Sequence, residues 1–105
     1  MLEIRTYTLA SEEALSQYAD VHWARHIGSL AQFGVTTHRV WREVGTDEFR
    51  LVALVEYEAG ADPEAVTKAY MSSTEFRGDM DGFPMDAIRG VTSVFVEPVS
   101  SDPAV

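Results

Sequence analysis

The segment from Ser11 to Gly34 constrains the fold most, because its apolar residues recur at the spacing of a long amphipathic helix. Ser11 can cap the first turn through its hydroxyl group, and Gly34 can take the left-handed conformation that ends many helices. Tyr18 and Trp23 flank the apolar stripe. At about 100° per residue, that stripe consists of Leu15, Ala19, His22, His26, Leu30 and Phe33. The sequence therefore predicts one helix whose core-facing side carries two imidazole rings.

Four segments outside this helix have the composition of β-strands. Residues 2–9 alternate with the period of two that is typical of a strand. Residues 35–44 and 49–57 are rich in β-branched and aromatic residues, and the turn sequence GTDE separates them. Residues 91–98 form the last predicted strand, which ends at Pro98. The short turn predicts that the middle two strands form an antiparallel hairpin.

A second, shorter helix is predicted after the hairpin, because Asp62 can cap it and Pro63 suits its first position. The order of elements is then β-α-β-β-α-β, which is typical of an α+β, ferredoxin-like fold. This fold has a four-stranded antiparallel sheet with two helices on one face. We expect a single domain over residues 1–99 and a flexible tail over residues 100–105.

The helix-free face of this sheet is predicted to be a subunit interface. Its predicted members mix aliphatic, aromatic and oppositely charged side chains, and such a face is too apolar to remain in water. We therefore expect a homodimer through the sheet face, with charged pairs across strands and the dimer seam. The predicted members are Glu3, Arg5, Tyr7, Arg39, Trp41, Glu43, Val52, Leu54, Glu56, Val94 and Val96, with the opposite alternating set of residues 49–57 as the alternative on that strand.

Composition excludes several classes of function. The chain has 17 acidic and 8 basic residues, and its net charge of -9 disfavours binding to nucleic acid or to anionic membranes. It has no cysteine, so disulfides, thiolate metal sites and a cysteine nucleophile are all absent. No apolar run approaches the roughly 20 residues of a membrane span, and the N-terminus MLEIRTYTL is not typical of a signal peptide. We expect a soluble, cytoplasmic protein.

Three stretches resemble the NIPSNAP-type domain of the dimeric α/β-barrel superfamily: LEIRTYTL, VTTHRVWREVG after a helix that ends in Phe-Gly, and LVALVEYE. The resemblance covers residues 2 to 58. It implies two ferredoxin-like sheets packed face to face across a two-fold axis, with ligands in a cleft between sheet and helices. It also implies relatives that include cofactor-free oxygenases, isomerases and haem-degrading enzymes. It supplies no catalytic residues, so the site is predicted from the residues of this chain.

His22 and His26 are the predicted catalytic residues. They lie one helical turn apart, as two zinc ligands do, but Trp23 stands where a zinc protease helix carries its glutamate. We therefore predict no metal site. The alternatives are core histidines that are hydrogen-bonded internally, or a pocket in which an imidazole with a pKa near 6.5 moves protons. Tyr18, Trp23 and His38 are the predicted substrate-binding residues.

Three functions stay open at this point. The first is a cofactor-independent oxygenase or isomerase that acts on a small apolar or aromatic molecule. The second is a binding protein without turnover, with haem as one candidate ligand. The third is a purely structural dimerisation module. The irregular stretch from Arg77 to Asp86 is predicted to be a flexible loop that can act as a lid over the cleft.

Overall fold

The computed structural model describes residues 1–104, and the predicted fold is confirmed. One antiparallel sheet has the strand order β2-β3-β1-β4. The elements are β1 Leu2–Leu9, α1 Glu12–Gln17, a π-helical turn Tyr18–His22, α2 Trp23–Gln32, β2 Val35–Arg42, β3 Phe49–Tyr57, α3 Pro63–Met71, α4 Thr74–Asp79, a 3-10 turn Met85–Ala87 and β4 Ile88–Val96. Of the predicted tail, Val105 lies outside the described residues.

The first helix has the predicted ends. It consists of α1, the π-helical turn and α2 in unbroken succession. The Ser11 hydroxyl accepts a hydrogen bond of 3.1 Å from the backbone N–H of Ala14. Gly34 has a φ of 79° and so follows the helix in the left-handed conformation. A Cβ atom at this position would lie 2.9 Å from Cδ of Glu58. The positive φ therefore favours glycine at position 34, whereas movement of the flexible Glu58 side chain would relieve the close contact.

The π-helical turn is the feature of this helix that the periodicity does not predict. The backbone N–H of Trp23 donates to the carbonyl of Tyr18, five residues earlier, instead of four. Residues five apart therefore lie above one another here, as residues four apart do in an α-helix. Tyr18 and Trp23, which a regular helix places at the edges of the stripe, are consequently both buried with the two histidines.

The inner face of the sheet, which packs against the helices, includes charged residues of β1. Glu3, Arg5 and Leu9 are buried on this face, and Tyr7 is half-buried. The prediction that Glu3, Arg5 and Tyr7 lie on the helix-free face is therefore wrong. The alternation in β1 is compatible with either orientation, and the charged set is tolerated inside because Arg5 and Glu3 form an ion pair of 2.7 Å.

No helix among the described residues 1–104 covers the outer face of the sheet, which is mainly apolar at its centre. The register pairs Ile4 with Leu54 on one side and Val94 on the other, and it pairs Trp41 with Val52. Val94 is 58% exposed. This face agrees with the predicted positions on β2, β3 and β4, but β1 contributes Leu2, Ile4, Thr6 and Thr8 to it.

The segment after α3 is more ordered than predicted. Ser73 caps α4, which continues to Asp79 and so extends into the stretch that is predicted to be a flexible loop. The guanidinium group of Arg25 donates to the carbonyls of Gly78, Asp79 and Asp81 at 3.1 to 3.4 Å. Met80 and Phe83 are buried. Hydrogen bonds and buried side chains therefore hold the stretch from residue 77 to residue 86 against the first helix, and it does not form a free loop.

No helix among residues 1–104 is long and apolar enough to cross a membrane.

Candidate functional site

A cavity of about 460 Å³ lies between the first helix, the inner face of the sheet and the helices α3 and α4. Most of its lining is apolar, and this part includes Trp23, Leu30, Phe76, Met80, Met85 and Ile88. A smaller polar part includes Arg5, Tyr7, Tyr18, His26 and Tyr70. An apolar chamber of this size with a few polar groups is typical of a site for a small organic molecule.

Aromatic rings form one continuous wall of the cavity. The ring centroid of Tyr7 lies 5.3 Å from that of Tyr18 and 5.9 Å from that of Trp23. His26 meets Trp23 edge to face at 5.2 Å and stacks on Phe76 with an interplanar angle of 5°. Each ring thus restrains its neighbours, and the wall presents rigid aromatic surfaces to a ligand.

Trp23 adds a buried donor to this wall. Its Nε1 atom is enclosed and forms no well-aligned hydrogen bond within residues 1–104, although the Tyr18 hydroxyl lies beside it. Such an unpaired donor costs about 1 to 3 kcal/mol, and costs of this kind are concentrated at functional sites.

Two side chains from different elements meet at the His26 ring. The hydroxyl of Tyr70, on α3, donates to Oδ2 of Asp79, at the end of α4, over 2.5 Å. Nδ1 of His26 lies 3.3 Å from the same oxygen and within hydrogen-bonding distance of the Tyr70 hydroxyl. The hydroxyl of Ser29 donates to the other carboxylate oxygen, Oδ1, over 2.9 Å. Asp79 is buried and so serves as a shared acceptor.

This network fixes the protonation of the imidazole ring. Burial, and then the hydrogen bond and charge of Asp79, raise the pKa of Tyr70, so its phenol keeps the proton that it donates. Tyr70 Oη and Asp79 Oδ2 therefore both face Nδ1 as acceptors, and Nδ1 must carry a hydrogen. In a neutral ring Nε2 is then unprotonated. It has no partner among residues 1–104 and is not one of the enclosed atoms, so it is open to the cavity.

The charge state of His26 follows from its surroundings. Burial lowers its pKa below the ordinary value, and the opposing effect of Asp79 is smaller. The ring is thus neutral at pH 7, with a free lone pair on Nε2. A neutral imidazole that is oriented by a carboxylate can accept a proton from a bound molecule.

A second polar group, the Glu3 and Arg5 pair, lies across the cavity on β1. Nε of Arg5 donates to Oε1 of Glu3 over 2.7 Å, and Nη2 donates to the hydroxyl of Tyr57 over 2.6 Å. Tyr57 and Ser93 also donate to Glu3. Although burial favours its neutral form, these hydrogen bonds lower the pKa of Glu3. The pair is therefore ionised and electrically balanced.

The predicted site residues divide into two groups. His26, Tyr18 and Trp23 line the cavity together. His38 does not, because a bulge in β2 turns it outward to Glu56, 2.7 Å away. The expectation that His38 joins the pocket is therefore corrected.

His22 is buried behind the cavity wall and does not line it. Its Nδ1 bonds the backbone carbonyl of Asp79 over 2.7 Å, and its Nε2 lies 3.2 Å from the amide nitrogen of Gln17. With Nδ1 donating and Nε2 accepting, both nitrogens have protein partners. His22 thus holds the end of α4, where Asp79 lies.

Arg5, Tyr70 and Asp79 are the site residues that sequence reasoning missed. The sequence pattern predicts Arg5 on the opposite face of the sheet, and Asp79 lies in the stretch that is predicted to be a loop. One signal that points to the site is the charged pair within an otherwise apolar strand, because inward charges often mark a site. Among residues 1–104 no three His, Cys, Asp or Glu side chains are placed to hold a metal ion.

Comparison with solved structures identifies the class of fold. A NIPSNAP family protein of unknown function from Agrobacterium tumefaciens superposes with a TM-score of 0.77 at 16% identity, over 99% of this chain and 92% of that one. A NIPSNAP domain protein from Burkholderia xenovorans gives a TM-score of 0.74 at 15% identity, over 97% of each chain. The resemblance to NIPSNAP-type domains is thus confirmed at the level of the fold. No family model and no curated protein sequence matches the chain.

A related, more distant structure is a protein from Nitrosomonas europaea that is proposed to be an antibiotic biosynthesis monooxygenase. It matches with a TM-score of 0.61 at 12% identity, over 94% of this chain and 99% of that one. Other neighbours include a dimeric ferredoxin-like protein from an uncultured marine organism, with a TM-score of 0.50 at 15% identity, over 95% of this chain and 91% of that one. At these identities the likeness concerns the fold alone.

Proposed function

We propose that this protein binds a small, mainly apolar aromatic molecule in the cavity and that His26 removes a proton from it. The observation that carries the proposal is the His26 ring, whose Nδ1 is held by Tyr70 and Asp79 while Nε2 is open to the cavity. The proposed class is a cofactor-independent isomerase or oxygenase. Tyr18 and Trp23 serve as walls that orient the ligand, and no metal takes part.

The network suits the proposed base in both of its charge states. Before proton transfer, the lowered pKa of His26 keeps Nε2 free to accept at pH 7. After proton transfer, the imidazolium ring lies beside the Asp79 carboxylate, which stabilises the new positive charge. Asp79 also fixes the tautomer, and His22 holds the backbone of Asp79 in place. In this proposal His22 is a positioning residue and His26 is the catalytic one.

The fate of the deprotonated molecule separates the two reaction types. If the proton returns to another atom, the protein is an isomerase. If the anion reacts with dioxygen, it is an oxygenase, and the similarity of the fold to the Nitrosomonas protein, which is proposed to be a monooxygenase, supports this choice.

A binding protein without turnover is the second candidate, because the open Nε2 of His26 is also an atom that can ligate haem iron. Addition of haem would then shift the haem absorption band in the wild type and leave it unshifted in His26→Leu. A purely structural module gains no support from a cavity with an open, oriented imidazole.

We also propose a homodimer through the outer face of the sheet. The apolar centre of that face, formed by Ile4, Leu54 and Val94, is not covered by any other part of residues 1–104. The dimeric ferredoxin-like neighbour supports this assembly. The high acidic content and the lack of a membrane-spanning helix among residues 1–104 favour the proposed cytoplasmic location.

Ligand binding and the role of His26 can be tested together. Trp23 and Trp41 are the two tryptophans of the chain, so Trp41→Phe leaves a single fluorophore in the cavity wall. We expect small aromatic molecules to change its fluorescence. His26→Leu should retain binding of apolar ligands and lose proton transfer to them. His38→Leu, at an exposed histidine outside the cavity, is the matched control and should retain both. A fluorescence signal that no aromatic ligand changes would contradict the proposal.

A further inference from the structure

The Arg5 guanidinium group shows what kind of molecule the cavity takes. Glu3, its partner, is well supplied with hydrogen bonds, since it accepts from Arg5, Tyr57 and Ser93. Arg5, by contrast, does not use all of its hydrogen-bond donors within the protein. Nε and Nη2 donate to Glu3 and Tyr57, and the Tyr7 hydroxyl also lies beside the guanidinium group, but Nη1 forms no well-aligned hydrogen bond within residues 1–104.

The open nitrogen belongs to a side chain that is only 10% exposed and that lines the cavity. It is also not one of the atoms enclosed without a partner, so a molecule in the cavity can reach it. A buried ion pair is commonly less stabilising than a well-packed apolar pair of the same volume. A pair that leaves one donor open into a chamber is therefore better explained by a ligand oxygen than by stability.

The charge balance of the site limits which oxygen this can be. Glu3 neutralises Arg5, and Asp79 supplies another negative group beside His26. A permanent anion such as a carboxylate would add an uncompensated charge to an apolar chamber, which is costly. A carbonyl or phenol oxygen is neutral on entry and becomes negative only when His26 takes the proton. The new anion then forms together with the new imidazolium cation.

We propose that the substrate is an aromatic molecule with an enolisable carbonyl group or a phenol, whose oxygen accepts a hydrogen bond from Nη1 of Arg5 while its acidic hydrogen faces Nε2 of His26. This inference rests on the proposed function of His26 and assigns its substrate class. Arg5 is then a catalytic residue, because its donor stabilises the oxygen on which charge develops.

The proposed step balances without a cofactor. For a ketone, the C–H bond next to the carbonyl breaks and the proton bonds to Nε2. The electron pair of that bond forms a carbon–carbon double bond, and the carbonyl pair moves onto oxygen. The resulting enolate oxygen accepts the hydrogen bond from Arg5. Return of a proton to the same or another carbon regenerates the neutral imidazole and completes the cycle.

Four probes of one ring size test the binding part: β-tetralone, β-naphthol, β-naphthoate and tetralin. Binding is measured by fluorescence in the Trp41→Phe background, which leaves Trp23 as the reporter. We expect the ketone and the phenol to bind more tightly than tetralin, which has no oxygen, and Arg5→Gln should abolish that preference. A preference for the carboxylate that depends on Arg5 would overturn the proposal, as would equal binding of tetralin and β-naphthol.

Exchange of the acidic hydrogens of β-tetralone with deuterated water, followed by NMR, tests the catalytic part. We expect Arg5→Gln to slow the enzymatic exchange about 100-fold, as loss of one oxyanion donor does elsewhere. Because this variant leaves Glu3 without its cation, the double variant Glu3→Gln, Arg5→Gln serves as a second test and should show a similar loss. Arg42→Gln removes an exposed pair with Glu12 outside the cavity and should keep the wild-type rate.

The two proposals fail in different ways. If Arg5→Gln and the double variant exchange at the wild-type rate while His26→Leu is inactive, the assignment of Arg5 is refuted and the base at His26 remains. If His26→Leu exchanges at the wild-type rate, or the wild type exchanges no probe that it binds, the proposed base is refuted and the inference about the substrate is refuted with it.

Discussion

Replacement of His26 by Leu should remove part of the pH dependence of stability. Burial lowers the pKa of His26 in the folded protein, whereas the unfolded chain has the ordinary value of about 6.5. Below about pH 6.5 the unfolded state therefore binds a proton that the folded state does not bind. The stability that comes from the neutral ring is complete above this pH and is lost as the pH falls towards the lower folded value.

The size of this change in stability follows from the binding of a single proton to His26. If the folded ring binds no proton at all, the free energy of unfolding falls by up to about 1.4 kcal/mol between roughly pH 7.5 and pH 5.5. All other ionisable side chains are present in both proteins, so the difference between wild type and His26→Leu isolates His26. We expect wild type to lose more stability on acidification than the variant does.

The stability of the variant at pH 7.5 is a further part of this prediction. His26→Leu leaves Asp79 with its hydrogen bonds from Tyr70 and Ser29, and Leu adds apolar contact with the Trp23 and Phe76 rings. The lost hydrogen bond costs about 1 kcal/mol, and the added apolar burial offsets a similar amount. Urea unfolding at the two pH values, with His38→Leu as control, measures both effects. Parallel pH profiles of wild type and His26→Leu would refute the assignment of a buried, neutral His26.

Three further predictions concern the Asp79 carboxylate, the proposed dimer and metal dependence. Asp79→Asn should slow β-tetralone exchange by a factor on the order of 10³ to 10⁴, because an amide can donate to Nδ1 and invert the tautomer; an unchanged rate would show that Asp79 does not orient the base. Val94→Asp should convert the dimer to monomers or unfold it, since a buried unpaired carboxylate costs several kcal/mol, and sedimentation of this variant as a wild-type dimer would show that the interface lies elsewhere. EDTA should leave the melting temperature unchanged, and a shift of several degrees would indicate a bound metal.

Local chemistry explains which elements could be predicted from the sequence. Ser11 and Gly34 delimit the first helix, and β3 has the predicted bounds, because caps, glycine and β-branched residues act within a few positions. The orientation of β1 could not be predicted in this way. Its two alternating sets are both partly apolar, and only pairing with distant strands decides which set faces the helices.

The site was predictable only in the part that lies on the first helix. His26 and Trp23 are placed by helical periodicity, although the burial of Tyr18 and Trp23 depends on the π-helical turn, which no local rule predicts. Tyr70 and Asp79 contact His26 from 44 and 53 positions away in sequence. The packing of α3 and α4 on the first helix sets these contacts. The carboxylate of Asp79, which orients His26, can therefore be assigned only once the fold is known.

Nitrogen NMR of the His26 side chain tests the central claim most directly. The claim is that at pH 7 the ring is neutral, with a hydrogen on Nδ1 and a free lone pair on Nε2 that is open to the cavity. The spectrum of His26→Leu identifies the His26 signals by their absence. We expect a protonated Nδ1 and an unprotonated Nε2 that shifts when β-naphthol binds. A hydrogen on Nε2, or an imidazolium ring at pH 7, would contradict the account.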